Sequence, residues 1–301
     1  MSKIQTVIGL IKTPRKLIIP LADNGFLNWI PDKAYLKLAY YCQMDKALDL
    51  RNPLTFNEKL QWLKLYDRNP LYPELVDKYL VKKYVEKKIG PQYIIPTYGI
   101  WNTPDEIPFA KLPSQFVLKC THDSGSVIIC KDKSTFDIEQ AKVKLHNYLN
   151  RSIFWFGREW PYKNAKPRII AEKYMVDTET EELRDYKFFC FNGIVKCYKV
   201  DFDRFKSHHA NYYDERKLLK IGEEVCPPDF SRKIKLPDSL SEMKRLAETL
   251  SQGIPFLRVD FYYVNGEVFF GELTFFPASG FGKFIFKGND ELLGSWLKLP
   301  D

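Results

Sequence analysis

The chain changes rhythm once, near residue 116. Before it, residues 21–70 are rich in aromatics and carry apolar positions at helical spacing. Thr55-Phe56-Asn57-Glu58 stands ahead of LQWLKLY and predicts a capping box, in which hydroxyl and carboxylate satisfy each other's backbone amides. A second amphipathic helix is expected from about Pro73 to Lys88, stopped at Gly90-Pro91. From Phe116 the order becomes strand, small-residue loop, strand: QFVLKC, THDSGS, VIICKD. A helix over about Ser134 to Leu149 and the strand RIIAEKYM (168–175) follow. Next comes a hairpin, YKFFCFNGIVKCYKV (186–200), turning at Asn-Gly. A last helix, Ser239 to Gln252, is stopped by Gly253 and Pro255. Helices interleaved with mostly antiparallel hairpins predict an α+β fold and not a doubly wound sheet.

The segment RVDFYYVNGEVFFGELTFFP (258–277) carries the most chemistry. It predicts two apolar strands that each hold a polar pair at i and i+2, Arg258/Asp260 and Glu272/Thr274, and such pairs share a face. With a two-residue Asn265-Gly266 loop the pairs fall on opposite faces. A three-residue loop, Val264 to Gly266, makes Arg258 oppose Glu272 and keeps Val259, Phe261, Leu273 and Phe275 together. The second register is expected. An Arg, two carboxylates and a hydroxyl then converge on one surface, a set suited to a divalent cation and phosphate. The plain alternative is an internal salt bridge on a solvated sheet face.

Composition narrows the classes. In 301 residues, 45% are apolar and 28% charged, as in a globular protein with room for two substantial cores. No run suits a membrane span. The first 20 residues hold Lys3, Lys12, Arg15 and Lys16, but Pro14 and Pro20 interrupt their apolar stretches, against a signal peptide. This basic arm could touch an anionic membrane surface or simply dock on the protein. A spread net charge of +8 suits anionic small substrates better than nucleic acid, for which no dense basic block is present. Six cysteines without CxxC spacing argue for reduced, buried thiols in the cytoplasm and against zinc. Four histidines, with only His208-His209 adjacent, suggest neither a metal cluster nor a triad.

Other positions carry weaker signals. Lys119 lies inside the apolar strand FVLKC and needs an anion there. The loop from Thr121 to Ser126 can fold its amides over phosphates, or be an ordinary turn. Glu172 ends RIIAE, and Asp185 with Lys187 opens the next hairpin; an acid can accept from ribose hydroxyls and a lysine can reach a phosphate. Asp201-Phe202-Asp203 has the Asp-x-Asp spacing that binds the metal of nucleotide-sugars in many glycosyltransferases.

Taken in order, LTFNEKLQWLKLYDRNP, VDKY, FVLKCTHDSGSVII, GREW, KPRIIAEKY, DYKFFCFNG and RVDFYYVNGEVFFGELTFFPASGF resemble the ATP-grasp superfamily. They are most similar to its TupA-like (teichuronopeptide biosynthesis) branch, often labelled glycosyltransferase, over roughly residues 50–301. The resemblance implies an ATP-grasp fold: a helical N-terminal region (1–72), then two α+β lobes (73–180 and 181–301) gripping ATP between them. It makes Lys78 the first nucleotide lysine and Lys119 the strand lysine on the phosphates. Ser124, Gly125 and Ser126 become the phosphate-covering loop, Glu172 the start of the adenine hinge, and Asp185 the ribose ligand, with Lys187 beside it. Asp260 and Glu272 would hold Mg²⁺, and Arg258 would aim at the transferring phosphoryl group. Thr274 stands where many members have Asn. Ser279 and Gly280 fall in the turn that receives an acceptor's carboxylate or amine.

The function so implied is an ATP-dependent ligase that joins a uronic acid of a surface polysaccharide to an amino acid or simple amine through an acyl-phosphate. The enzyme would be cytoplasmic, or peripheral at the inner face of the plasma membrane. The competing expectation is a nucleotide-sugar glycosyltransferase built on Asp201 and Asp203.

Overall fold

The computed structural model describes residues 18–178, 183–203 and 207–300. Lys3, Lys12, Arg15 and Lys16 of the basic arm lie outside these. Three helices open the described chain: α1 (Ile18–Asp23), α2 (Asp32–Met44) and α3 (Phe56–Tyr66). The expected capping box starts α3: Glu58 N–H donates to Thr55 Oγ1 (3.3 Å) and Thr55 N–H to Glu58 Oε2 (3.0 Å). The helix expected over 73–88 is broken into α4 (Tyr72–Val76) and α5 (Leu80–Ile89). Asp77 causes the break. Its backbone is extended, and its carboxylate accepts the amides of Tyr79 (2.8 Å) and Leu80 (2.9 Å), competing with continued helix.

Two sheets follow. Strands β1 (Thr97–Trp101), β2 (Phe116–Cys120), β3 (Val127–Cys130) and β4 (Ile169–Lys173) form the first, in the order β1-β4-β2-β3. Between β3 and β4 lie α6 (Ile138–Leu149) and the short α7 (Ile153–Gly157). The expected start of α6 at Ser134 moves to Asp137, whose carboxylate caps Gln140 N–H at 2.8 Å. Strands β5 (Asp185–Phe191), β6 (Ile194–Phe202), β7 (His209–Asp214), β8 (Lys217–Leu219), β9 (Phe256–Val264) and β10 (Glu267–Thr274) form the second sheet, ordered β10-β9-β5-β6-β7-β8. Every strand pairing in both sheets is antiparallel.

Helix α8 (Leu240–Ser251) covers the apolar face of the second sheet with Met243, Leu246, Ala247 and Leu250, one stripe at helical spacing. The N-terminal helix α3 joins the same core. Its Phe56 ring meets Phe256 edge-on at 4.9 Å, and Tyr72 of α4 meets Phe275 at 4.3 Å. Lys59 of α3 donates to the carbonyls of Gly294 (2.8 Å) and Leu297 (2.7 Å), placing a cation at the C-terminal end of α9 (Asn289–Trp296). The first sheet has its own core around Phe109, Phe116, Leu118, Leu145 and Ile169.

The β9–β10 ribbon does not use the three-residue loop. Val264 pairs directly with Glu267 across Asn265-Gly266, both left-handed (φ 51° and 87°), as a two-residue turn of right-twisting strands requires. Parity is restored inside the ribbon. The pair Phe270–Phe261 is followed by Glu272–Asp260, so Gly271 is an unpaired bulge. Asp260, not Arg258, therefore opposes Glu272, and Thr274 opposes Arg258. All four still share a face. Glycine suits the bulge because a Cβ there would stand 3.0 Å from the Asp260 carbonyl oxygen.

Candidate active site

Register turns the polar pairs of the second sheet into a charged row. Lys199 of β6 pairs with Lys187 of β5, Lys187 with Asp260 of β9, and Asp260 with Glu272 of β10, across four adjacent strands. Lys187 Nζ lies 2.6 Å from Asp185 Oδ2, 3.2 Å from Asp201 Oδ2 and 3.6 Å from Asp260 Oδ2. Arg258 grips both oxygens of Asp260 (2.7 Å each) and Glu272 Oε1 (2.7 Å). The internal salt bridge weighed from the sequence is thus real, but it is not the whole arrangement. Four carboxylates, those of Asp185, Asp201, Asp260 and Glu272, thus gather around Lys187 and Arg258, an acidic cluster that favours a divalent cation. Burial raises the Asp260 carboxyl to about 6, further than Arg258 and Lys187 pull it down. Glu272 is half exposed; burial would raise its pKa, and Arg258 and Lys187 outweigh that and lower it.

The first sheet presents the opposite charge. Glu172 of β4 is clamped between Lys82 Nζ (2.5 Å) and Lys119 Nζ (2.8 Å). Burial alone would raise its pKa; the two ammonium groups reverse this and hold it at about 2. Lys78, set by the α4–α5 break, donates to the carbonyls of Cys120 (3.0 Å) and Asp123, and burial lowers its pKa.

Between the two surfaces lies a cavity of about 290 Å³. Lys78, Lys82, Lys119, Ser124, Gly125 and Glu172 line one side, and Asp185, Lys187, Asp260 and Glu272 the other. Ile94, Ile95, Tyr262 and Phe270 give it an apolar wall. A second cavity of about 390 Å³ shares Lys78, Ser124, Gly271 and Glu272 with the first. It adds Arg258, Thr274, Ser279, Glu159 and Tyr162.

Of the residues assigned by resemblance to the nucleotide, metal and acceptor, Ser126 and Gly280 line neither cavity. The Ser126 hydroxyl is buried, accepting the Cys120 amide (2.9 Å) and donating to Asp123. Gly280 turns its carbonyl to Gln61 (2.7 Å). Beside it, Ala278 and Ser279 both adopt left-handed backbone (φ 48° and 52°). Fully buried Lys64 pins that turn, donating to Ser279 O (2.7 Å), Gly157 O (2.6 Å) and Gln61 Oε1 (3.0 Å), and burial lowers its pKa to about 7. The Ser279 hydroxyl donates to Glu159.

The Asp-x-Asp pair is separated. Asp201 joins the Lys187 cluster, whereas Asp203 leaves β6 through left-handed backbone (φ 53°) and meets Arg232 at 3.9 Å on the surface. Sequence reasoning passed over Lys82, Glu159 and Tyr162. Lys82 could have been found four residues beyond Lys78, and Glu159 within GREW. Nothing local marks Tyr162. Sequence spacing also gave no sign that Asp201, His208 and Cys226 would bring their ligand atoms within 4.8 Å of one another.

The sequence model of the TupA-like ATPgrasp family matches residues 58–298, four-fifths of the chain. The chain belongs to that family. Its two antiparallel sheets, with a cleft lined from both, are the ATP-grasp fold in a TupA-like ATP-grasp protein. Among solved structures, the chain is similar to D-alanine–D-alanine ligase from Bacillus anthracis at 18% identity and TM-score 0.39, over 70% of this chain and 62% of that one. The Helicobacter pylori D-alanine–D-alanine ligase gives 17% identity and TM-score 0.41, over 81% and 69%. The ATP-grasp ligase PsnB with a phosphomimetic precursor, Mg and ADP gives 10% and 0.40, over 84% and 64%. The chain spans about three-fifths of the length of the first of these ligases. Comparison with curated proteins gives no match. No helix among the described residues is long and apolar enough to cross a membrane.

Proposed function

We propose that this TupA-like ATP-grasp protein is an ATP-dependent carboxylate–amine ligase. The observation that carries the reading is the two-sided cleft, in which Lys78, Lys82 and Lys119 face Lys187, Asp260 and Glu272 across about 290 Å³. In the proposed reaction, a substrate carboxylate takes the γ-phosphoryl group of ATP and ADP leaves. An amine then displaces phosphate, losing a proton, to give an amide.

The residues suit this division of labour. Lys78, Lys82 and Lys119 neutralise and orient the triphosphate, with Ser124 and Gly125 exposed at the loop tip to close over it. The apolar wall of Ile94, Ile95, Tyr262 and Phe270 receives the base, and Asp185 accepts from the ribose. Asp260, Glu272 and Thr274 form an all-oxygen donor set matched to Mg²⁺. When bound there, Mg²⁺ would supply charge neutralisation at the phosphates. Arg258, between the two cavities' carboxylates, stabilises charge growing on the transferred group, so that no protein nucleophile is needed. Ser279, with Ala278 beside it, holds the acceptor in the second cavity.

The finer assignment follows the family resemblance: the acyl donor is a uronic acid of a bacterial surface polysaccharide precursor, and the acceptor an amino acid or simple amine. The work is done on the cytoplasmic side, with peripheral contact to the inner membrane. ADP release is the test. Mg²⁺-ATP, glucuronate and a mixture of amines should yield ADP and an amide mass increment. Asp260→Asn and Glu272→Gln should each abolish both while the protein still melts cooperatively. Turnover of a sugar nucleotide without ATP, lost in Asp201→Asn alone, would make the glycosyltransferase reading correct instead.

A further inference from the structure

Beside the charged row, the second sheet gathers three residues of different chemistry. Asp201 lies near the end of β6, opposite Ala210 of β7. His208 stands immediately before β7, whose first residue, His209, pairs with Phe202. The segment after β8 returns along this edge: Ala210 N–H donates to Pro227 O (3.3 Å), and His209 Nδ1 lies 3.0 Å from the same oxygen. Those two contacts fix Cys226, next in sequence to Pro227, beside Asp201 and His208. The His208 Nε2 stands 3.4 Å from Asp201 Oδ2, is enclosed, and makes no hydrogen bond. Cys226 and Asp201 are both buried.

We propose that Asp201, His208 and Cys226 form a binding site for a borderline-soft divalent metal ion of the Zn²⁺ class, distinct from the Asp260–Glu272 pair. The donor set makes the choice. An imidazole nitrogen, a thiolate and a carboxylate suit Zn²⁺, whereas Mg²⁺ takes oxygen ligands. Bonds of about 2.0–2.3 Å place tetrahedral ligand atoms about 3.4–3.8 Å apart. The observed 4.8 Å envelope therefore needs a contraction of about an ångström. Three protein ligands leave the fourth position to water. Burial, and then the Asp201 charge, push the free Cys226 thiol up to about 11, so loading releases a proton and strengthens with pH.

Cobalt(II) is the probe. The full chain, stripped with chelator and dialysed into excess Mg²⁺, should bind about one equivalent of Co²⁺. A thiolate-to-cobalt charge-transfer band should appear, which Zn²⁺ removes and Mg²⁺ does not. Cys226→Ser should lose the band, and His208→Ala should weaken Co²⁺ binding by at least about tenfold, each with an unchanged far-UV circular dichroism spectrum. If Cys226→Ser fails to fold, the folded His208→Ala decides. A wild-type chain without the band, a band that survives Cys226→Ser, or full affinity in His208→Ala overturns the site.

Discussion

Replacing Glu172 with Gln removes the one anion between Lys82 and Lys119 while keeping nearly the same volume. The carboxyl falls from its ordinary 4.5 to about 2 in the folded protein. At about 1.4 kcal/mol per tenfold change in proton affinity, this amounts to about 3 kcal/mol at pH 7. That lies at the low end of the roughly 3–5 kcal/mol seen when a buried ion pair loses one partner, as suits lysines that still reach water. The sign is set by a depressed folded pKa: stability is complete above pH 4.5 and drains away as pH falls toward 2. Urea unfolding followed by tryptophan fluorescence should therefore place wild type about 3 kcal/mol above Glu172→Gln at pH 7, and only about 1.4 kcal/mol above it at pH 3. A gap that is the same at both pH values, or a variant as stable as wild type at pH 7, would refute the clamp.

Three further outcomes are expected. Thr55→Ala should destabilise by about 1 kcal/mol in the same urea assay, since it removes one half of a formed capping box. Gly271→Ala should lower the melting temperature and weaken Mg²⁺-ATP binding in calorimetry, because its Cβ would press on the Asp260 carbonyl at 3.0 Å; Gly266→Ala, with open space around it, should cost only about 1 kcal/mol of left-handed strain. Mg²⁺ affinity should fall as pH drops through about 6, where Asp260 takes up a proton, and be flat from pH 7 to 8; calorimetric titrations at pH 5, 6, 7 and 8 would show an unchanging affinity if Asp260 is not a ligand.

Local pattern determined the element types and several of their ends. The Thr55–Glu58 box, the Asn-Gly turn at 192–193 and the stop at Gly253 depend on backbone chemistry within a few residues, so the sequence specifies them alone. The i, i+2 spacing of Arg258/Asp260, Asp185/Lys187 and Glu272/Thr274 likewise put each pair on one face before any partner strand was known. Which residue faces which was a different matter. A single bulge at Gly271 shifts every later pairing by one, and its cause is steric, an approach to the Asp260 carbonyl that belongs to another strand. The break at Asp77 similarly needed the Thr121 carbonyl to take the Lys78 amide at 3.0 Å. Clusters assembled across long separations were least visible. Lys82 meets Glu172, Lys64 meets Ser279, and Asp201 meets Cys226 only because sheets and helices fold back on one another. Periodicity sets which way a side chain points from its own backbone; what it meets there is set by contacts that sequence spacing does not encode.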